Sequence, residues 1–151
     1  MAYCYNNLSV CYQYYKKLDS ATYYSNKALP LFFASGQEDE IAWTYDVMAS
    51  IYWEKHQIDS AIKYCRKCID IAFKRKLPDQ IRSCSYNMYL SQNIKGFYKD
   101  ALRFYITSDS VLDSLVNAGN RIALAKSQMQ YDYNKKEEKI KLESAVNDIK
   151  H

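Results

Sequence analysis

Leu18-Asp19-Ser20-Ala21 recurs 40 residues later as Ile58-Asp59-Ser60-Ala61 and, after another 40 residues, in altered form as Tyr98-Lys99-Asp100-Ala101. Each stretch begins with an apolar or aromatic residue, continues with two polar residues and ends with alanine. Three occurrences at one spacing indicate an internal repeat, the sequence signature of a protein built from stacked, similar units. The 40-residue period therefore decides the fold prediction.

The residues on both sides of this stretch repeat with the same period. The aligned sets are Tyr5, Leu8 and Tyr12 with Tyr45, Met48 and Tyr52 upstream, and Tyr24, Tyr64 and Phe104 downstream. Within each repeat, the upstream residues are spaced by three and four positions, which places them on one face of a helix. Each repeat is therefore predicted to be a pair of amphipathic helices.

The joins between these helices carry residues that favour turns and helix ends. Gly36, Pro78 and Gly119 recur at about the same period, and Asp19 and Asp59 are expected to be N-cap residues of second helices. The predicted repeats cover residues 2–40, 42–80 and 82–120. The predicted helices span residues 2–15, 18–34, 38–55, 58–76, 79–94, 98–117 and 120–148.

The composition agrees with an all-helical, folded chain. Among 151 residues there are only three Gly and two Pro, too few for the many tight turns of a β-sandwich or barrel. With 48% hydrophobic and 25% charged residues, the chain has the composition of a globular domain rather than of a disordered segment. The 16 Tyr suit half-buried positions, because each has an apolar ring and a polar tip.

The second repeat resembles the tetratricopeptide repeat, a helix-turn-helix unit. Tyr45, Met48-Ala49 and Tyr52 match the pattern of its first helix, and Ala61, Tyr64 and Cys68 match that of its second helix. The resemblance implies an all-α fold, an α-α superhelix (solenoid) of three helix pairs followed by a long C-terminal helix. A period of 40 instead of about 34 residues is similar to the long repeats in sensor regions of bacterial histidine-kinase or LuxR-type regulators.

The C-terminal segment strengthens this narrower resemblance. Residues 129–142 contain a Tyr, a Lys/Glu run and spaced Ile and Leu, and they are similar to the helix that leaves such arrays toward a coiled coil. We expect residues 1–133 to form the solenoid domain and residues 134–151 to extend the last helix. The chain then resembles a part of a longer regulator or a truncated relative.

The resemblance also implies which residues would contact a ligand, because the first helix of each repeat lines the concave groove in that family. The implied groove residues are Tyr3, Asn6, Asn7, Val10 and Gln13 in repeat 1, Trp43, Asp46, Ser50 and Trp53 in repeat 2, and Tyr86, Asn87, Leu90 and Asn93 in repeat 3. Aromatic and amide side chains can pack against a partner and hydrogen-bond its backbone. These positions contain no Lys or Arg, which disfavours a ligand held by its C-terminal carboxylate. The alternative for Trp43 and Trp53 is packing between repeats.

The sequence does not favour catalysis, a cofactor or a metal. Cys65 and Cys68 form a Cys-x-x-Cys, but both occupy small-residue packing positions of the repeat, and no second Cys pair follows. His56 and His151 are the only histidines, so neither a histidine-centred triad nor a Cys/His dyad is expected. No glycine-rich phosphate loop is present. We therefore expect a protein that is not an enzyme.

Net charge and hydropathy exclude some classes of binding partner. A net charge of +4 without a basic inner face disfavours nucleic acid. No apolar run approaches the length of a membrane span, and the first residues do not form a signal peptide. The odd number of five cysteines favours a reducing compartment, so we expect a cytoplasmic location.

Two functions follow from this interpretation. The first is a non-enzymatic protein–protein interaction module that binds a peptide or partner protein in the concave groove, as the sensory or regulatory part of a bacterial signal-transduction protein. The alternative is a self-association scaffold in which the C-terminal helix forms a homodimer through Ile140, Leu142, Val146 and Ile149.

Overall fold

A computed structural model describes residues 1–112 and 118–149, and all of its regular structure is helical. Every predicted helix is confirmed to within two residues at each described end; residues 113–117, at the end of the sixth predicted helix, lie outside the described part. The helices are α1 (Ala2–Tyr14), α2 (Leu18–Ser35), α3 (Glu38–Glu54), α4 (Ile58–Arg75), α5 (Pro78–Ile94), α6 (Tyr98–Leu112) and α7 (Ala118–Ile149).

The 40-residue period reappears in the backbone of the turns. The turn inside each repeat has one residue in the left-handed region, Lys16 (φ 59°), His56 (φ 58°) and Gly96 (φ 80°). The joins between repeats do the same at Gly36 (φ 66°) and Lys76 (φ 57°). A left-handed residue just after a helix lets the following amides bond to its last free carbonyls, which ends the helix.

The helices of residues 1–112 pack in series, each against its neighbours in sequence. In addition α3 contacts both α1 and α5, whereas α2 and α4 do not contact each other within the described residues. The first helices of the repeats therefore lie closer together than the second helices. This places α1, α3 and α5 on the inner side of the helical array, which we call the inner face.

The repeated alanine and the repeated tyrosines build the core of this array. Ala21, Ala61 and Ala101 are all completely buried, as expected where second helices approach their neighbours most closely. Tyr12 stacks on Tyr24 with ring centroids 5.2 Å apart, and the equivalent pair in repeat 2, Tyr52 and Tyr64, stacks at the same distance. Offset ring pairs of this kind stabilise an interface beyond the area that they bury.

Asp19 and Asp59 are not N-cap residues, so this prediction is wrong. α2 and α4 begin two residues earlier than a cap at these positions requires, and both aspartates lie in the first helical turn. There each carboxylate pairs with a lysine of the following repeat: Asp19 with Lys55 at 2.7 Å, and Asp59 with Lys95. The aspartates therefore join consecutive repeats with the same 40-residue period.

The C-terminal helix α7 forms a unit of its own, separate from residues 1–112. It begins at Ala118, so Gly119 lies in its first turn and not in a join, and it continues through residues 133 and 134, as the helix predicted over residues 120–148 does. Ile140 and Leu142 are both exposed. Since they are two positions apart, they lie about 200° apart around the helix axis. No described helix has the length and apolar character needed to cross a membrane.

Candidate functional site

The inner face carries an open cleft of about 390 Å³ that is lined by α1, by α3 and by the residues at the start of α5. Three groove residues that the family resemblance implied, Tyr3, Asn7 and Trp43, come together here. We call this site the acidic cleft, because two carboxylates line it. Its residues are Tyr3 and Asn7 of α1, Asp39, Glu40 and Trp43 of α3, and Leu77 and Gln80 at the start of α5.

Two of the three acidic residues that open α3 are paired with cations at the end of α4. Arg75 Nε lies 2.6 Å from Asp39 Oδ1, and Lys74 Nζ lies 3.1 Å from Glu38 Oε1. The hydrogen bond from Arg75 lowers the pKa of Asp39, so this carboxylate stays ionised. The basic end of α4 therefore neutralises Glu38 and Asp39, a role that the sequence did not indicate.

Glu40 is half-buried and, unlike these two acids, forms no ion pair within the described residues. Its neighbour in the cleft is Tyr3. Partial removal of the Tyr3 side chain from water, together with this neighbouring carboxylate, raises the pKa of Tyr3. The acidic cleft thus contains one carboxylate that no cation of the described chain neutralises.

Trp43 packs in the core and also lines the acidic cleft, whereas its contact with a ligand stays a prediction. It packs against the small core cluster of Ala21, Val47 and Ile51, and it also lines the acidic cleft. Part of the indole remains accessible. Because the core holds the ring in place, Trp43 offers a rigid aromatic surface to the cleft.

A second cleft of about 410 Å³ lies further along the inner face, at repeat 3. It brings together Ser50, Tyr86 and Asn87 from the groove residues implied by the family resemblance. It also contains Arg82, a cation that sequence reasoning did not place in the groove. The remaining residues around it are Ser83, Tyr105, Ser108 and Asp109.

Two of the implied groove residues join neighbouring repeats. Gln13 Nε2 donates to Ser50 Oγ at 2.7 Å and to Glu54 Oε1 at 2.9 Å. Asp46 accepts hydrogen bonds from Ser83 Oγ at 2.7 Å and from Cys84 Sγ at 3.2 Å, and burial raises its pKa although these bonds oppose the rise. Gln13 and Asp46 therefore connect first helices of consecutive repeats.

Asn6 does not lie on the open groove, and its assignment to that surface is wrong. The side chain is completely buried, and its amide nitrogen and oxygen have no hydrogen-bond partner within the described residues. The family pattern places this position on the inner face, but the adjacent helices cover it in this chain. Trp53 is also partly withdrawn, because its indole nitrogen is buried without a described partner; Leu90 is half-buried.

The cysteines of repeats 2 and 3 belong to the core. Cys65, Cys68 and Cys84 are completely buried in one hydrophobic cluster, which confirms that Cys65 and Cys68 occupy packing positions. Burial, followed by hydrogen bonds with Cys65 and Cys68, holds the pKa of the Cys84 thiol well above its ordinary value. Among the described residues, no three His, Cys, Asp or Glu side chains are grouped so that they could hold a metal ion.

Sequence reasoning missed Leu77, Gln80 and Arg82. Gln80 carried a usable signal, since it lies 40 residues after Glu40 and therefore at the equivalent place of the next repeat. Leu77 and Arg82 carried no comparable signal.

No protein-family model matches this chain, and no curated protein matches it.

Proposed function

We propose that residues 1–112 form an array of tetratricopeptide type that binds an extended segment of a partner protein on its inner face. One observation carries this proposal: the inner face has two clefts, each lined by helices of more than one repeat and each containing accessible aromatic and amide side chains. Tyr3 and Tyr86, one in each cleft, are both 47% exposed. Aromatic residues of this kind are enriched where proteins bind partners.

We further infer that the partner-binding array is the sensory or regulatory part of a bacterial signalling protein and that it is not an enzyme. The 40-residue repeats and the Tyr–Lys/Glu segment of α7 support this, because both resemble the sensor regions of such regulators. The cytoplasmic location stays a prediction.

The test is affinity capture from a lysate of the source cells with paired variants. The groove variants are Tyr3→Ala with Asn7→Ala, and Tyr86→Ala with Asn87→Ala, all side chains at accessible cleft positions. The control variants replace equally exposed aromatic residues on the second helices, Tyr23→Ala and Phe33→Ala, which are 56% and 55% exposed. Far-UV circular dichroism verifies that each variant keeps its helices.

We expect a partner that the wild type and the control variants retain and that at least one groove variant loses. Hot-spot aromatic residues typically contribute more than about 1–2 kcal/mol to binding, which is a tenfold or greater loss of affinity. Retention of every partner by both groove variants would move the binding surface away from the inner face.

The second candidate function is self-association through α7, which several exposed apolar side chains favour. They are Leu124, Tyr131, Ile140, Leu142 and Val146. Light scattering on the full chain and on Leu142→Lys with Val146→Lys tests it. A dimer that the substitutions dissociate would support this function, and an unchanged molar mass would remove it.

A further inference from the structure

We propose that the acidic cleft binds a lysine or arginine side chain of the partner segment, so that the preferred ligand is a basic peptide. This inference rests on the proposed function, since it names the chemistry of the segment that the inner face would bind. It is carried by the place of Glu40 in one cleft with two aromatic side chains and by the pairing of its acidic neighbours.

The three acidic residues at the start of α3 differ in whether a cation pairs with them. Glu38 and Asp39 have their cations in Lys74 and Arg75, whereas Glu40 lies beside the neutral hydroxyl of Tyr3 and has no cation among the described residues. A half-buried carboxylate of this kind keeps room to accept further hydrogen bonds. A cationic donor binds a carboxylate more strongly than a neutral donor does.

Two aromatic side chains, Tyr3 and Trp43, line the cleft together with the Glu40 carboxylate. Trp43 lies one helical turn after Glu40, and Tyr3, a neighbour of Glu40, lies on α1 at the same cleft. The ring of Tyr3 is held edge-on against the buried Phe32, with centroids 5.2 Å apart. Two aromatic side chains fixed by the core can take the face of a guanidinium or the methylene chain of a lysine, and they attract its charge.

Two amide side chains of the cleft can bind the main chain of the ligand. Asn7 on one side of the cleft and Gln80 on the other each carry an amide donor and an amide acceptor. An extended peptide exposes both kinds of backbone group, so it can use both amides while its side chain reaches Glu40. A bound acidic side chain would instead face the unpaired Glu40 carboxylate and be repelled.

The experiment selects ligands from a random octapeptide library with blocked termini, so that only side chains carry charge. The library is applied to the immobilised full chain, to Glu40→Gln and to Glu138→Gln. Gln is the natural residue 40 positions after Glu40, at Gln80, and Glu138 is an exposed residue of α7 whose substitution changes the net charge equally. Enriched peptides are resynthesised with norleucine in place of each Lys or Arg, and affinities are measured by fluorescence polarisation.

We expect peptides enriched in Lys or Arg on the wild type and on Glu138→Gln. Glu40→Gln, and norleucine at one position of the peptide, should each weaken binding by about tenfold, the usual effect of a charge-assisted hydrogen bond. The two losses should not add, because both remove the same contact.

Other outcomes separate the failure of this inference from the failure of the proposed function. Enriched peptides without a required cation, or equal affinity for Glu40→Gln, would overturn the basic ligand and leave peptide binding intact. Equal affinity for blocked arginine amide alone would make the cleft a small-cation site and overturn docking of a segment. No enrichment of any peptide on the wild type would overturn the proposed function, and this inference with it.

Discussion

Exchanging the left-handed residues of two equivalent turns should change stability in opposite directions. His56 and Gly96 occupy the same position in repeats 2 and 3, with φ of 58° and 80°. The His56 amide donates to Trp53 O and the Gln57 amide to Tyr52 O, both at 2.9 Å, so the end of α3 has the paired bonds of a Schellman cap. His56→Gly should stabilise the chain, and Gly96→His should destabilise it.

The magnitude follows from the backbone alone. An L residue in the left-handed region costs about 1–2 kcal/mol, and glycine loses about 0.5–1 kcal/mol more conformational free energy than alanine on folding. The difference predicts a gain of about 0.5–1 kcal/mol for His56→Gly. No atom lies within 4 Å of a Cβ built on Gly96, so Gly96→His should cost the same amount without a steric term.

Urea unfolding followed by far-UV circular dichroism measures both effects. Thermal unfolding should show melting temperatures shifted by roughly 2–4 °C for each 1 kcal/mol in a chain of this size. The double variant should return close to the wild-type stability, because the two turns are distant and their effects should add. A destabilised His56→Gly, or a neutral Gly96→His, would refute the backbone explanation.

Three further predictions concern the core and the contacts between repeats. Phe32→Ala should lower the free energy of unfolding by about 3–5 kcal/mol, because Phe32 is completely buried. Phe33→Ala should cost far less, because the neighbouring Phe33 is 55% exposed. Equal losses for the two variants in urea titrations would contradict the core position of Phe32. Gln13→Ala should cost about 1–2 kcal/mol through its lost bonds to Ser50 and Glu54, and urea titrations that show no loss would deny those bonds a role in stability. Burial raises the pKa of the Asp46 carboxyl above 3.8, so the folded chain binds the Asp46 proton more tightly than the unfolded chain does. The ionisation of Asp46 therefore lowers the free energy of unfolding as the pH rises from 3.8 through the pKa of the folded state. Asp46→Asn should lack this contribution when unfolding is measured across that pH range, and parallel pH profiles of variant and wild type would exclude it.

Part of the candidate site could be predicted from the sequence, because the resemblance to the tetratricopeptide repeat implies which residues of the first helices face the groove. Tyr3, Asn7 and Trp43 are among these residues, and the structure places them at one cleft. Their role in binding stays a prediction. The register failed at Asn6, which has the spacing of a groove residue and is nevertheless buried.

The sequence by itself determined the helices, their turns and the alternation of first and second helices. These features depend on spacings of three, four and 40 residues, which act within one helix or between copies of one unit. The completely buried Ala21, Ala61 and Ala101 show how directly this pattern is realised.

Only the tertiary structure decided which polar residues are paired and which remain available. Glu38, Asp39 and Glu40 are consecutive acids in the sequence, yet two of them meet the basic end of α4 and the third meets Tyr3. The outcome depends on the rotation of one helix against its neighbours, which many packed side chains set together. Local spacing carries no information about that rotation, so the free carboxylate of the acidic cleft appears only in three dimensions.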